Sequence, residues 1–169
     1  SASRSIPLVI QGVPAAYVHG LLGTLNDHNL AKKTGVNRDV NRGTVDIKSL
    51  AEGFSDPQSK NSLLRKENTG LRLIHTRQRA FHPHGDQRVL MISPAVFAVF
   101  RTSPEGDQHI LAMTNVTNNT CSIEIPLSEL TVEETSWFDL VNKKEWNAEN
   151  KQLSIKFEPY DVVWLKPVS

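Results

Sequence analysis

Between Gly12 and Gly23 the chain reads GVPAAYVHGLLG, a short apolar run with Pro14 near its start and a glycine at either end. A continuous apolar run of this kind predicts a strand over about 13–19, covered on both faces. Such a strand is normally parallel and reached through helical crossovers, yet only about a dozen residues precede it, barely one crossover. Its partner strands are therefore expected upstream of Ser1, and the opening Ser1-Ala2-Ser3, which lacks a start methionine, fits a trimmed or excised segment. The lead-in SIPLVIQ, Ser5 to Gln11, reads as a helix end or an extended stretch, because Pro7 argues against a long helix interior.

After the run, residues 20–43 are polar, without sustained periodicity, and punctuated by Asn26-Asp27, Thr34-Gly35 and Arg42-Gly43. A loop of this length inside a compact domain is usually functional or disordered. It contains NRDVNR, Asn37 to Arg42, which on spacing alone is a solvated turn. Helices are expected over about 45–82. Thr44 to Phe54 carries Ile47, Leu50 and Ala51 at helical spacing, and Ser55-Asp56-Pro57 is a helix start. Gly70 falls in the second helix, where it brings two backbones close or breaks the helix in two. His82-Pro83-His84-Gly85-Asp86 ends it.

Beyond that boundary the period changes to alternation. Residues 88–92, 95–101, 109–115, 121–125, 136–141, 152–157 and 161–166 read as strands, separated by SPEGD, TNNT, VNKKEWN, AENK and EPY. Seven short strands without intervening helices predict an antiparallel sandwich over 85–169, with Trp137, Trp146 and Trp164 as core and rim. The whole chain then reads as α+β, a first segment over 1–84 and the sandwich after it.

Nineteen Lys and Arg against eighteen Asp and Glu give a formal charge of +1, so no global field recruits nucleic acid or an anionic membrane. No apolar run approaches the roughly 20 residues of a membrane span. One cysteine, Cys121, makes no internal disulfide, which favours a reducing, cytoplasmic setting. His82 and His84 flank a proline with no further ligands at metal spacing, so neither a metal nor a cofactor is expected. Asn115-Val116-Thr117 and Asn118-Asn119-Thr120 match the glycosylation pattern by chance in a turn rich in Asn and Thr.

The order of elements resembles the tail of the α-amylase clan (glycoside hydrolase family 13), and within it the sucrose phosphorylase branch with its glucosylglycerol and glucosylglycerate phosphorylase relatives. Gly12-Val13-Pro14-Ala15-Ala16-Tyr17 is similar to the eighth-strand motif of that clan, and Leu21-Leu22-Gly23 with Asn26-Asp27 continues it. Gly35 to Arg42 resembles the branch's Arg-acidic-hydrophobic-Asn-Arg signature, Arg77 to Leu90 its junction to the C-terminal domain, and Pro159 to Leu165 its closing strand.

The resemblance implies the end of a (β/α)8 barrel, with its last strand, active-face loop and helices, capped by an antiparallel sandwich. It implies a parent enzyme that cleaves an α-glucoside with retention and passes the glucosyl group to inorganic phosphate, releasing α-glucose 1-phosphate and the free acceptor. The nucleophile, the acid/base and the stabilising aspartate of that family belong to earlier barrel strands, so no catalytic residue is assigned here. The loop after the eighth strand supplies binding instead. Arg42 and then Arg38 are the leading substrate-binding residues, and Asn26 and Asp27 the acceptor-side ones. Gly43 stands where sucrose-specific members more often carry histidine, which weighs against sucrose as donor. The missing barrel is the expected partner, with self-association through exposed barrel surface as an accompaniment. The other reading is a non-catalytic carbohydrate-binding module with a tryptophan-lined face.

Overall fold

The computed structural model describes residues 2–168; Ser1 and Ser169 lie outside the described residues. The chain forms two compact units, Ser1–Pro14 with Leu71–Ser169, and Ala15–Gly70.

The larger unit is built on a six-stranded antiparallel sheet in the order β1-β2-β3-β8-β5-β6, faced by a two-stranded sheet β4-β7. The strands are β1 Asp86–Val89, β2 Val96–Thr102, β3 His109–Asn115, β4 Cys121–Pro126, β5 Ser136–Asp139, β6 Glu145–Asn147, β7 Gln152–Phe157 and β8 Val162–Val168. Alternation decides which side chain goes where. Val96, Ala98 and Phe100 of β2, Leu111 and Met113 of β3, and Val163 and Leu165 of β8 point between the sheets, where they meet Ile123, Ile125, Leu153, Ile155, Phe157 and Trp137. The intervening residues Val99, Ile110, Ala112, Val162 and Trp164 point the other way, into a second core with Val9, Leu71, Ala80 and Phe81. The strands buried on both faces are thus the antiparallel centre of this sheet.

The outer cover comes from α1 (Ala2–Val9), the C-terminal turns of α5 (Lys60–Thr76) and a 3-10 turn at Arg79–Phe81. Pro7 lies in the last turn of the eight-residue α1, at the loss of one intrahelical hydrogen bond. The Ser5 hydroxyl donates to the Ala2 carbonyl at 2.7 Å and lies 2.8 Å from the Thr114 hydroxyl, which seats α1 on β3. Arg101, 0% exposed, donates Nε to the Asp86 carbonyl at 3.1 Å, Nη1 to Val9 at 2.8 Å and Nη2 to His82 at 2.9 Å. Burial lowers its pKa, and three carbonyl acceptors take the place of a carboxylate.

The smaller unit holds α2 (Val18–Leu22), α3 (His28–Thr34), a 3-10 turn at Asn37–Asn41, α4 (Ile47–Ser55) and the start of α5. The strand expected over 13–19 is not formed. Val13 to Tyr17 is irregular, with Val13 83% exposed, and Tyr17 is the N-cap of α2. A strand needs neighbours for its N–H and C=O groups; among the described residues this run joins no sheet, and only from Val18 on does the chain turn into a helix. The region 20–43, expected to be irregular, is instead largely helical. Gly70 neither breaks α5 nor brings a second backbone close, since nothing lies within 4 Å of a Cβ built there. Among the described residues no helix is long and apolar enough to cross a membrane.

Candidate functional site

Of the residues expected to bind substrate, Asp27, Arg38 and Arg42 fall on the loop of the smaller unit that Asp27 opens, and Asn26 immediately precedes it. Asp27 is the N-cap of α3, and its Oδ1 accepts from the Leu30 N–H at 2.8 Å. Its own N–H donates to the Val40 carbonyl at 2.7 Å, so the two ends of the loop are joined at one residue. A second strut comes from Tyr17, whose hydroxyl donates to the Asn41 carbonyl at 2.6 Å. Gly35 ends α3 in the left-handed conformation, φ 71°, and turns the chain into the 3-10 segment that carries Arg38 and Asp39.

Beside this neck lies an open cleft of about 590 Å³, lined by Gly23 to Asn29, Gly43 to Asp46, Ser49, Leu50 and Asn61. Asn26 and Asp27 are therefore brought together on its wall. Arg38 and Arg42 are not part of the wall. Arg38 is exposed, and Arg42, with 54% of its side chain exposed, faces Asp39 at 3.5 Å. An ion pair this open is worth little, and it leaves the Arg42 guanidinium available for a ligand.

Asp46, Ser49, Asn29 and Thr44 line the same cleft and were not foreseen. For Asp46 and Ser49 the signal is the Asp-x-x-Ser pattern at 46–49, an N-cap two residues later than the helix start read at Thr44. Asp46 accepts from the Lys48 N–H at 3.1 Å, the Ser49 N–H at 3.3 Å and the Ser49 hydroxyl. Those bonds, the Ser49 hydroxyl first, hold its carboxyl below the ordinary value of 3.8. Both carboxylates of the cleft are thus committed to helix N-termini. Carboxamides, hydroxyls and two carboxylates, without a lysine or arginine, suit a neutral hydroxyl-rich ligand.

Elsewhere the sites weighed on sequence resolve into structure. Trp137 and Trp164 are buried on opposite faces of the large sheet, and Trp146 packs half-buried against the inter-sheet core, so these rings build no exposed platform. Nδ1 of His82 accepts from the His84 N–H at 3.1 Å within a turn. Cys121 sits half-buried at the start of β4, where burial raises its thiol pKa.

No family model matches the chain. It is 33% identical over 174 residues to glucosylglycerate phosphorylase of Spirochaeta thermophila, a match that covers 98% of this chain and 29% of that protein. It is 23% identical to glucosylglycerate phosphorylase of Escherichia coli K12 across 97% of this chain and 27% of that protein, and 38% identical to sucrose phosphorylase of Agrobacterium vitis across 40% of this chain and 14% of that protein. The chain thus spans less than a third of each of these relatives. In fold it is similar to AmyP in complex with maltose, TM-score 0.78 at 17% identity, and to the α-amylase of Geobacillus thermoleovorans, TM-score 0.75 at 11% identity, with 99% of this chain covered and 34% and 32% of those chains. The antiparallel sheets behind a helical segment are the architecture of the C-terminal region of α-amylases. By its relatives the chain belongs to the sugar phosphorylases, as a C-terminal portion of such a protein, and it shares its fold with α-amylases.

Proposed function

We propose that the parent protein cleaves an α-glucoside by a retaining double displacement and passes the glucosyl group to inorganic phosphate, giving α-glucose 1-phosphate. The observation that carries this reading is the likeness to the Spirochaeta protein over nearly the whole chain, the Arg38 to Arg42 loop included. Within the parent this portion binds and does not react. Arg42, with Arg38 beside it, offers a guanidinium fork to a sugar hydroxyl, a carboxylate or phosphate. Asn26 and Asp27 hold the hydroxyl-rich acceptor part from the cleft wall. No cofactor takes part.

The first 84 residues complete the barrel in this proposal, and residues 85–169 are its C-terminal sandwich domain. Three short helices, α2, α3 and α4, bury none of their own residues, and Leu25 and Ile47 are exposed. That apolar surface is the part the rest of the parent covers, and copies of the isolated chain associate through it. A cytoplasmic setting fits the lone thiol.

The test is the full-length protein with glucosylglycerate, glucosylglycerol or sucrose and phosphate, read as α-glucose 1-phosphate formed. Arg42→Ala is expected to lower kcat/KM by roughly 10- to 100-fold, the worth of a hydrogen bond to a charged group. Lys66→Ala on α5 serves as the comparison and stays within about twofold. Equal losses in both variants exclude the loop assignment, and no phosphate-dependent release from any α-glucoside excludes the activity.

A further inference from the structure

The turn that leads into β8 holds a tyrosine where glycine is the ordinary residue. Asp161 donates its N–H to the Glu158 carbonyl at 3.2 Å, which closes the turn Glu158-Pro159-Tyr160-Asp161. Pro159 suits the second position of such a turn, and Tyr160 takes the third at φ 62°, in the left-handed region that a bulky side chain rarely enters. The surroundings hold it there. The Tyr160 N–H donates to the Thr117 carbonyl at 3.2 Å, and the Glu158 N–H to Asp161 Oδ2 at 2.7 Å. Asn115, 0% exposed, donates Nδ2 to the carbonyls of Asn119 at 2.7 Å and Glu158 at 3.0 Å, so one buried carboxamide clamps both loops.

The sandwich itself uses little of the side chain that this strain presents. Tyr160 is 53% exposed, and among the described residues its hydroxyl has no hydrogen-bond partner and its ring no aromatic or cationic one. Val116, 45% exposed, stands in the adjoining loop next to Thr117, so two large apolar residues face solvent at one end of the sandwich. Strained backbone that its surroundings over-determine marks a place of contact. The same end carries α1, because Ser5 meets Thr114, the residue before Asn115, at 2.8 Å. The match to the Spirochaeta protein covers 29% of it and the chain is a C-terminal portion, so most of such a parent precedes α1 and reaches the sandwich through it. We propose that Tyr160, with Val116 beside it, is the anchor by which the sandwich docks on the preceding part of the parent polypeptide. The left-handed turn aims the phenol ring at an apolar seat on that part, and the Asn115 clamp keeps it aimed. The inference rests on the length of the parent and not on its activity.

Three readouts on the full-length protein test the docking without any turnover. In the wild type, hydroxyl radicals are expected to modify Tyr160 roughly tenfold more slowly than a tyrosine in an unfolded peptide, because a docked aromatic anchor is shut off from water. On irradiation, a Tyr160→p-benzoylphenylalanine variant is expected to cross-link to a peptide that precedes this chain in the same polypeptide. Asparagine enters the left-handed region more readily than tyrosine, so Tyr160→Asn relieves the turn while it removes the ring. A ring facing solvent therefore predicts a thermal midpoint at or above wild type. Docking predicts a midpoint several degrees lower, with Tyr160→Phe, which keeps the ring, close to wild type.

A modification rate in keeping with 53% exposure overturns the proposal. So does protection that vanishes on dilution or a cross-link that joins two copies, since the seat then belongs to a second chain. A cross-link confined to residues 2–168, or none at all, overturns it too, as does a Tyr160→Asn midpoint at or above wild type. Should the variants fail to fold, the rate and its dilution series in the wild type decide. A parent that turns over no glucoside ends the proposed function and leaves each of these outcomes as decisive as before.

Discussion

Nη1 of Arg101 donates to the carbonyl of Val9 at 2.8 Å across 92 residues of chain, binding the end of α1 to β2. The other two nitrogens hold Asp86 and His82, so a single buried guanidinium satisfies three carbonyls that would otherwise be orphaned. Arg101→Met is expected to destabilise the sandwich unit by about 3 kcal/mol, roughly one for each lost bond. Arg101→Lys restores only a part, because an ammonium on a flexible stem does not reproduce the planar fork. Urea denaturation followed by tryptophan fluorescence checks this, since Trp137, Trp146 and Trp164 all belong to that unit. Wild-type stability in the lysine variant would refute the fork.

Asp139 is the second polar clasp. Fully buried, its Oδ1 accepts from the Val141 N–H at 2.9 Å, the Asn142 N–H at 3.2 Å and the Trp164 N–H at 3.3 Å, and its Oδ2 from Asn142 Nδ2 at 2.7 Å. Asp139→Ala leaves these donors unpaired and is expected to cost about 3 kcal/mol. Asp139→Asn, which keeps an acceptor, costs less. A reversed order in the same denaturation series would show that the hydrogen bonds are not what the residue supplies.

His75 gives the unit a pH dependence. Its ring stacks on Phe81 at 5.3 Å, and burial, then the charges of Arg101 and Arg72, lower its pKa from the ordinary 6.5. Above pH 6.5 the imidazole is neutral in both folded and unfolded chains, and its contribution is fully present. As pH falls below 6.5 the unfolded chain takes up the proton first, so stability declines until the folded pKa is passed. His75→Phe keeps the stack and is expected to flatten that decline. An unchanged slope between pH 6.5 and 5 would assign it to another group.

Gly70 lies inside an unbroken helix with open space where its Cβ would be. Gly70→Ala is expected to stabilise the protein by about 0.5–1 kcal/mol through helix propensity alone. A lower thermal midpoint in the variant would reveal a need for glycine there.

The sandwich was legible because its strands alternate over short stretches bounded by turn residues, and seven of the eight were read. β6 was missed: Glu145–Asn147 is three residues long and sits among Lys143, Lys144 and Asn150, where turn composition outweighs one tryptophan. The 13–19 run failed for a different reason. An apolar run reports that a segment wants cover, and its secondary structure depends on neighbours rather than on the run itself. At the site, Asn26 and Asp27 reached the cleft wall as a pair, but the role of Asp27 in closing the loop depends on Val40, a contact that no local pattern encodes. Asp46 was missed by a two-residue error in a helix start, the usual scale of uncertainty at helix ends.

The six-stranded sheet narrows from seven-residue strands at its centre, β2, β3 and β8, to four residues in β1 and three in β6 at its rims. A foreign strand laid along either rim would find only a few amides and carbonyls to grip, and Asp86, Arg88 and Glu145 would place charge beside it. Lateral growth of this sheet into fibrils is therefore discouraged by its own outline.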